Sequence, residues 1–165
     1  MTRGATVVIS AALLAGAAVP GAGATSISAA TSPGWRVVAS FGCADSLVFS
    51  VTSTGPRGAW ATGRFTPCSP DARTRILVAR WDGKSWQQPP LPNAGIGFDG
   101  LAVAALSNSY SWTFGSGELG TFAWLYRSGR WRTFHLPDSP FISSAVAFSR
   151  SNAWALGGAN TGARQ

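Results

Sequence analysis

Few side chains in this sequence could carry a reaction. Its six acids include Asp45, Asp71, Asp99 and Glu118, and a glycoside hydrolase or lyase would draw on two such carboxyls about 5 to 10 Å apart, one as acid and one as nucleophile or base. Nothing in their spacing marks a pair, so solvated loop carboxylates are the plainer reading. The only histidine, His135, lies between Phe134 and Leu136, a setting that suits a structural or surface imidazole better than a catalytic base. Two cysteines and one histidine fall short of a four-ligand zinc set. No Gly-x-Ser-x-Gly, phosphate-loop or dinucleotide fingerprint occurs. No catalytic residue, metal or cofactor is therefore expected.

The thiols make sense once the N-terminus is read. Thr2-Arg3 is a short basic lead, residues 5–19 form an apolar run, and Pro20-Gly21 breaks it before Ala22-Gly23-Ala24, a small-x-small cleavage pattern. Residues 1–24 are expected to be a signal peptide cut after Ala24, with Ala30 as second choice, followed by a linker over 25–33. The run of about 15 residues is shorter than the roughly 20 that span a bilayer, so no stable membrane insertion is expected. A secreted, extracellular chain oxidises paired thiols, and Cys43 and Cys68 should form one disulfide.

The elements that must hold these residues show in the tryptophans. Arg80-Trp81-Asp82-Gly83-Lys84-Ser85-Trp86 and Tyr126-Arg127-Ser128-Gly129-Arg130-Trp131 each place a glycine turn between two aromatics at the same spacing, the pattern of a tight hairpin. Two contexts alternate along the chain: a turn followed by Trp35, Trp86 or Trp131, and Trp-x-x-Gly at Trp60, Trp112 and Trp154. Each recurs roughly every fifty residues, a repeat length typical of stacked β units. First strands are expected over 47–53, 101–106 and 144–148, and second strands through the Trp-x-x-Gly motifs. Third strands follow over 74–81 and 121–126, and fourth strands over 85–88 and 130–136. Two units are then complete, the third stops after its second strand, and Trp35-Arg36-Val37-Val38 reads as the fourth strand of a unit otherwise missing.

Polarity indicates how such sheets would stack. Residues 101–106 and 145–148 are apolar at both parities, so those strands should be covered on both faces. Fourth strands alternate or run into proline, which suits an outer edge. Buried inner strands and half-wet outer ones are what radial stacking of four-stranded sheets requires. Helices fail because Gly, Pro and β-branched residues interrupt every long window. Tryptophans at repeat-equivalent positions, among them Trp60, Trp86, Trp112, Trp131 and Trp154, should form a repeat core between neighbouring sheets. Trp124 stands outside the pattern, since Ala79 holds its place in the preceding unit; an exposed ring there would suggest a ligand platform, a buried one packing.

Trp-Asp-Gly-x-x-Trp, a proline-bearing loop, an apolar strand, a Ser/Asn turn and Trp-x-x-Gly together resemble the kelch-like β-propeller repeats of secreted bacterial proteins. The resemblance covers residues 34–158 and leaves 159–165 as a C-terminal tail. It implies an all-β chain forming a partial β-propeller of radially stacked four-stranded antiparallel blades, two complete and two incomplete. The Asp box of sialidases is a near neighbour, but Asp82 and Gly83 are adjacent here where that motif inserts a residue. Propellers close with about 4 to 8 blades, so the chain falls short of a ring. A fragmentary reading frame, several copies, or a partner supplying blades would each resolve the deficit. The stop near Asn160-Thr161-Gly162, where a loop to a third strand should begin, favours the first. An open stack would expose apolar faces and invite self-association.

Up-and-down connectivity sorts the loops by end. Asp45, Asp71, Asp99, Glu118 and Asp138 fall in loops at one end; Arg57, Lys84, Arg127, Arg130 and Arg150 fall at the other, with Asp82 as its only acid. Lys and Arg number 13 against 6 acids, a formal charge of +7, which favours anionic partners, although charges also gather at turns simply because strands are apolar. The expected function is a noncatalytic extracellular binding or interaction module for an anionic cell-surface polymer, glycan or protein, with loops 65–73, 93–99 and 116–120 as contact surface. The alternative is a fragment of a propeller-type glycoside hydrolase or lyase.

Overall fold

The computed structural model describes residues 39–43, 45–69, 71, 73–92, 99–117, 119–136 and 140–159. The leader expected over 1–24, the linker expected over 25–33, the strand expected at Trp35 to Val38, residues 93–98 of an expected contact loop, Glu118, Asp138 and residues 160–165 of the expected tail lie outside these.

All regular structure among the described residues is β. The strands are β1 (Leu47–Gly55), β2 (Gly58–Phe65), β3 (Arg75–Trp81), β4 (Trp86–Gln87), β5 (Asp99–Ser107), β6 (Tyr110–Gly117), β7 (Gly120–Arg127), β8 (Arg130–Leu136), β9 (Pro140–Ser149) and β10 (Asn152–Ala159). They form three antiparallel meanders in chain order: four strands β1 to β4, four strands β5 to β8, and two strands β9 and β10. The two complete units and the first two strands of the third are thus present as sheets among the described residues.

The three units repeat at the level of single residues. Trp60 lies opposite Thr52, Trp112 opposite Ala104 and Trp154 opposite Val146. The motif glycines fall opposite Val48, Gly100 and Ile142, each beside a register shift that leaves Phe49, Leu101 or Ser143 as the extra residue of a bulge. That bulge explains the glycines. A Cβ on Gly63, Gly115 or Gly157 would meet the carbonyl oxygen of Leu47, Asp99 or Phe141 on the facing strand, so only a residue without a side chain lets the bent strand approach.

The two aromatic-flanked hairpins share their cross-strand pairs but not their turns. Trp81 faces Trp86 with ring centroids 5.8 Å apart, and Tyr126 faces Trp131 at 4.9 Å. In β7–β8 the turn is two residues, Ser128 and Gly129, both with positive φ (49° and 87°), the backbone that best suits strand twist. In β3–β4 the link is longer; Gly83 takes φ 96° and the Asp82 carboxylate accepts the Lys84 and Ser85 N–H groups, each at 2.8 Å.

Side chains from consecutive sheets form the cores. Trp60, Ile76 and Val78 of the first sheet meet Val103, Trp124 and Tyr126 of the second, and the Trp60 indole N–H donates to the Ser107 carbonyl of the second sheet at 3.0 Å. Ala102, Phe114 and Ala123 of the second sheet meet Ile142 of the third, with Trp112, Phe134 and Ala145 packed alongside. The outward face of the first sheet buries Ala61, Leu77 and Ala79 beneath Phe41 and Trp86. β5 lies between β1 and β9, and its Ala102, Val103 and Ala104 are all buried, so that inner strand is covered on both faces. β9 is not: Ile142 is buried but Val146 and Phe148 are exposed, because among the described residues no sheet follows.

Cys43 and Cys68 are joined, with Cα atoms 5.1 Å apart, which agrees with an oxidising, extracellular setting. The bridge ties the segment before β1 to the segment after β2, alongside a Cys43 N–H bond to the Thr66 carbonyl (2.9 Å) and a Thr66 N–H bond to Ser46 Oγ (2.9 Å). Among the described residues no helix is long and apolar enough to cross a membrane.

Candidate functional site

Meander connectivity brings five hairpin turns to one end of the stack. Arg57 lies in the β1–β2 turn, Lys84 between β3 and β4, Arg127 and Arg130 at the β7–β8 turn, and Arg150 between β9 and β10; all five are exposed. Hydrogen bonds lace these turns together. Asn108 Nδ2 donates to the Arg57 carbonyl (3.1 Å), the Ser128 N–H to the Ser109 carbonyl (2.9 Å), and Tyr110 Oη to the Arg150 carbonyl (2.7 Å). Arg80 anchors the end from within: its Nη1 donates to the Asn108 carbonyl (3.3 Å) and to Tyr126 Oη (3.1 Å), and its guanidinium lies over the Trp60 and Tyr126 rings.

Asp82 is the only acid at this end among the described residues, and its carboxylate is occupied. The backbone N–H of Ser85 and then that of Lys84 hold it below the usual carboxylate range, with burial opposing and the Gln87 and Ser85 side chains adding. The carboxylate stays ionised but forms no ion pair among the described residues, and the five cations face solvent.

The opposite end carries mixed charge. Asp99 Oδ1 and Oδ2 accept from Arg64 Nε (2.6 Å) and Nη2 (2.7 Å), a two-pronged pair. The Arg64 pKa is raised by that hydrogen bond first, with burial opposing and the fields of Asp99 and Asp45 adding. Asp45 and Asp71 share the end with Arg73 and Arg75, the latter stacked 4.7 Å from the centre of the Phe65 ring. Sorting acids by loop misses Arg64 and Arg75 because they sit on strands, at β2 and β3 positions just inside the loops. The difference between the ends rests on the basic turns rather than on the acidic loops.

Other candidate side chains have partners within the fold. His135 on β8 places Nε2 3.3 Å from the Leu119 carbonyl and its ring against Phe122. Among the described residues no three His, Cys, Asp or Glu side chains gather as a metal site. Trp124 is fully buried and its indole N–H donates to the Pro92 carbonyl at 3.1 Å, so packing accounts for it.

Within the repeat core, Trp60 is sealed and Trp86, Trp112 and Trp131 are partly buried. Trp154 departs from the expectation: it is 64% exposed, on an open face with Val146, Phe148 and Leu156. It occupies the core position of its sheet, but among the described residues no further sheet packs on it. Its indole N–H turns instead to Asn152 Oδ1 at 2.8 Å. Comparison with family models, curated proteins and solved structures finds no match to this chain.

Proposed function

We propose that this chain is a noncatalytic, secreted binding module of propeller type whose basic turn end engages an anionic polymer or glycan. One observation carries the reading: five exposed cations at four hairpin turns converge on one end, while Asp82 is bonded into its own turn. Sheets that follow one another, with matching bulges and Trp-x-x-Gly motifs, support the propeller-type architecture. Rigid scaffolds commonly present their recognition residues on turns and loops. Charges spread over such a rim would act mainly through long-range attraction, which salt screens over about 8 Å at physiological ionic strength.

The test is retention of the purified chain on a sulfated or phosphorylated polymer, against a neutral glycan, at low and high salt. Retention on the anionic matrix that falls with salt, and falls again in an Arg127→Ser/Arg130→Ser variant, is expected. Retention that ignores salt, or no retention at all, would remove the basic turns from the account.

A further inference from the structure

Among the described residues, the first and the last sheet each carry a face on which no neighbouring sheet packs. Trp60 shows how a sheet receives its successor: Val103 on the next inner strand is in its cluster, and Ser50 Oγ accepts the Val103 N–H at 3.3 Å. The β1 residue matching Val103 is Val51, since Val103 pairs with Thr113 and Val51 with Ala61, each next to its motif tryptophan. Val103 is buried whereas Val51 is 51% exposed. At the far end, Trp154 matches Trp60 and Ser144 matches Ser50 by the same register, and that face is also open. Among the described residues, no sheet packs on Val51 and no strand covers Trp154, while Phe41 and Trp86 cover the part of the first sheet beyond β1, at Ala61, Leu77 and Ala79.

From this we infer that the open face of β9 and β10 seats the exposed β1 face of a second copy of the chain, head to tail. Val51, flanked by Leu47 and Phe49, takes the place on Trp154 and Val146 that Val103 takes on Trp60. The contact continues the packing between consecutive sheets, so it needs no new surface chemistry. A head-to-tail contact makes a ring when its rotation closes and a filament when it does not. The described residues of each copy form three sheets; two copies make six, within the about 4 to 8 at which sheet rings close, and three copies exceed it. The product is a closed pair with two identical contacts. Each pairs Val51 of one copy with Trp154 of the other.

Two measurements on the full chain test this. Light scattering after gel filtration, at about 100 μM to favour association by mass action, should give twice the monomer mass. Val51→Asp and Trp154→Asp, both at exposed sites, should each return the monomer mass with an unchanged circular dichroism spectrum. A bismaleimide should couple Val51→Cys chains to Trp154→Cys chains when the two are mixed, and neither to itself; Cys43 and Cys68 are bridged, so the introduced thiols alone react. A monomer at this concentration, a mass unmoved by both substitutions, or coupling of Val51→Cys chains to one another would overturn the inference.

Discussion

Trp60 and Trp154 hold the same place in their sheets and opposite environments. Each lies across from an inner-strand residue, Thr52 or Val146, three positions before the motif glycine, yet Trp60 has no exposed surface and Trp154 is 64% exposed. Trp60→Ala should therefore cost about 3–5 kcal/mol, the range for emptying a large buried aromatic site. Trp154→Ala should change stability by no more than about 0.5 kcal/mol at high dilution, as for an ordinary surface site. Urea titrations of the two variants make the comparison, and equal losses would contradict it.

The motif glycines offer a second contrast. Gly63→Ala pushes a methyl group into the Leu47 carbonyl, a backbone atom that cannot swing aside, so a loss of about 1–3 kcal/mol is expected, as for other overpacked sites. Gly158 lies in the same kind of strand with nothing near its missing side chain. Gly158→Ala should be close to neutral in the same melt.

Reduction of the Cys43–Cys68 bridge releases a sequence separation of 25 residues. The chain-entropy relation gives about 3 kcal/mol for a loop of this size. The midpoint of urea unfolding should drop accordingly under reductant, and a Cys43→Ser/Cys68→Ser chain should match the reduced form.

Asp82 sets a dependence on pH. Its folded-state pKa is lowered by the Ser85 and Lys84 N–H groups, so the ionised form belongs to the folded turn. The stabilisation is fully present above the unfolded value near 4 and is lost as pH falls through the lower folded value. Amide exchange at Lys84 and Ser85 should quicken in acid. Asp82→Ala should show the faster exchange already at neutral pH, and Asp82→Asn, which keeps an acceptor oxygen, should show less of it.

The order of strands was legible because turns and tryptophans recur together: glycine at Gly83 and Gly129, aromatics on either side, and Trp-x-x-Gly at the second strands. Cys43 and Cys68 could be paired because both fall at the same end of the same hairpin. Burial was harder to read. Residues 101–106 and 145–148 look alike as apolar runs, yet β5 is covered on both faces and β9 on one, since the difference lies in what packs beyond β9 and not in its own residues. Trp124 likewise carries no local sign of its burial; the cover comes from the first sheet and from Pro92, distant in sequence. The ion pair of Arg64 with Asp99 joins two different sheets, so neither residue's neighbours along the chain announce it.

Strand pairing within each sheet runs only between consecutive segments, which keeps the pairings local along the chain and favours rapid formation. A polypeptide emerging N-terminus first could complete one meander before the next is available. Cys68 precedes β3, so both sulfurs are in hand when only the inner hairpin exists, and oxidation at that moment would fasten the foundation on which every later segment is laid.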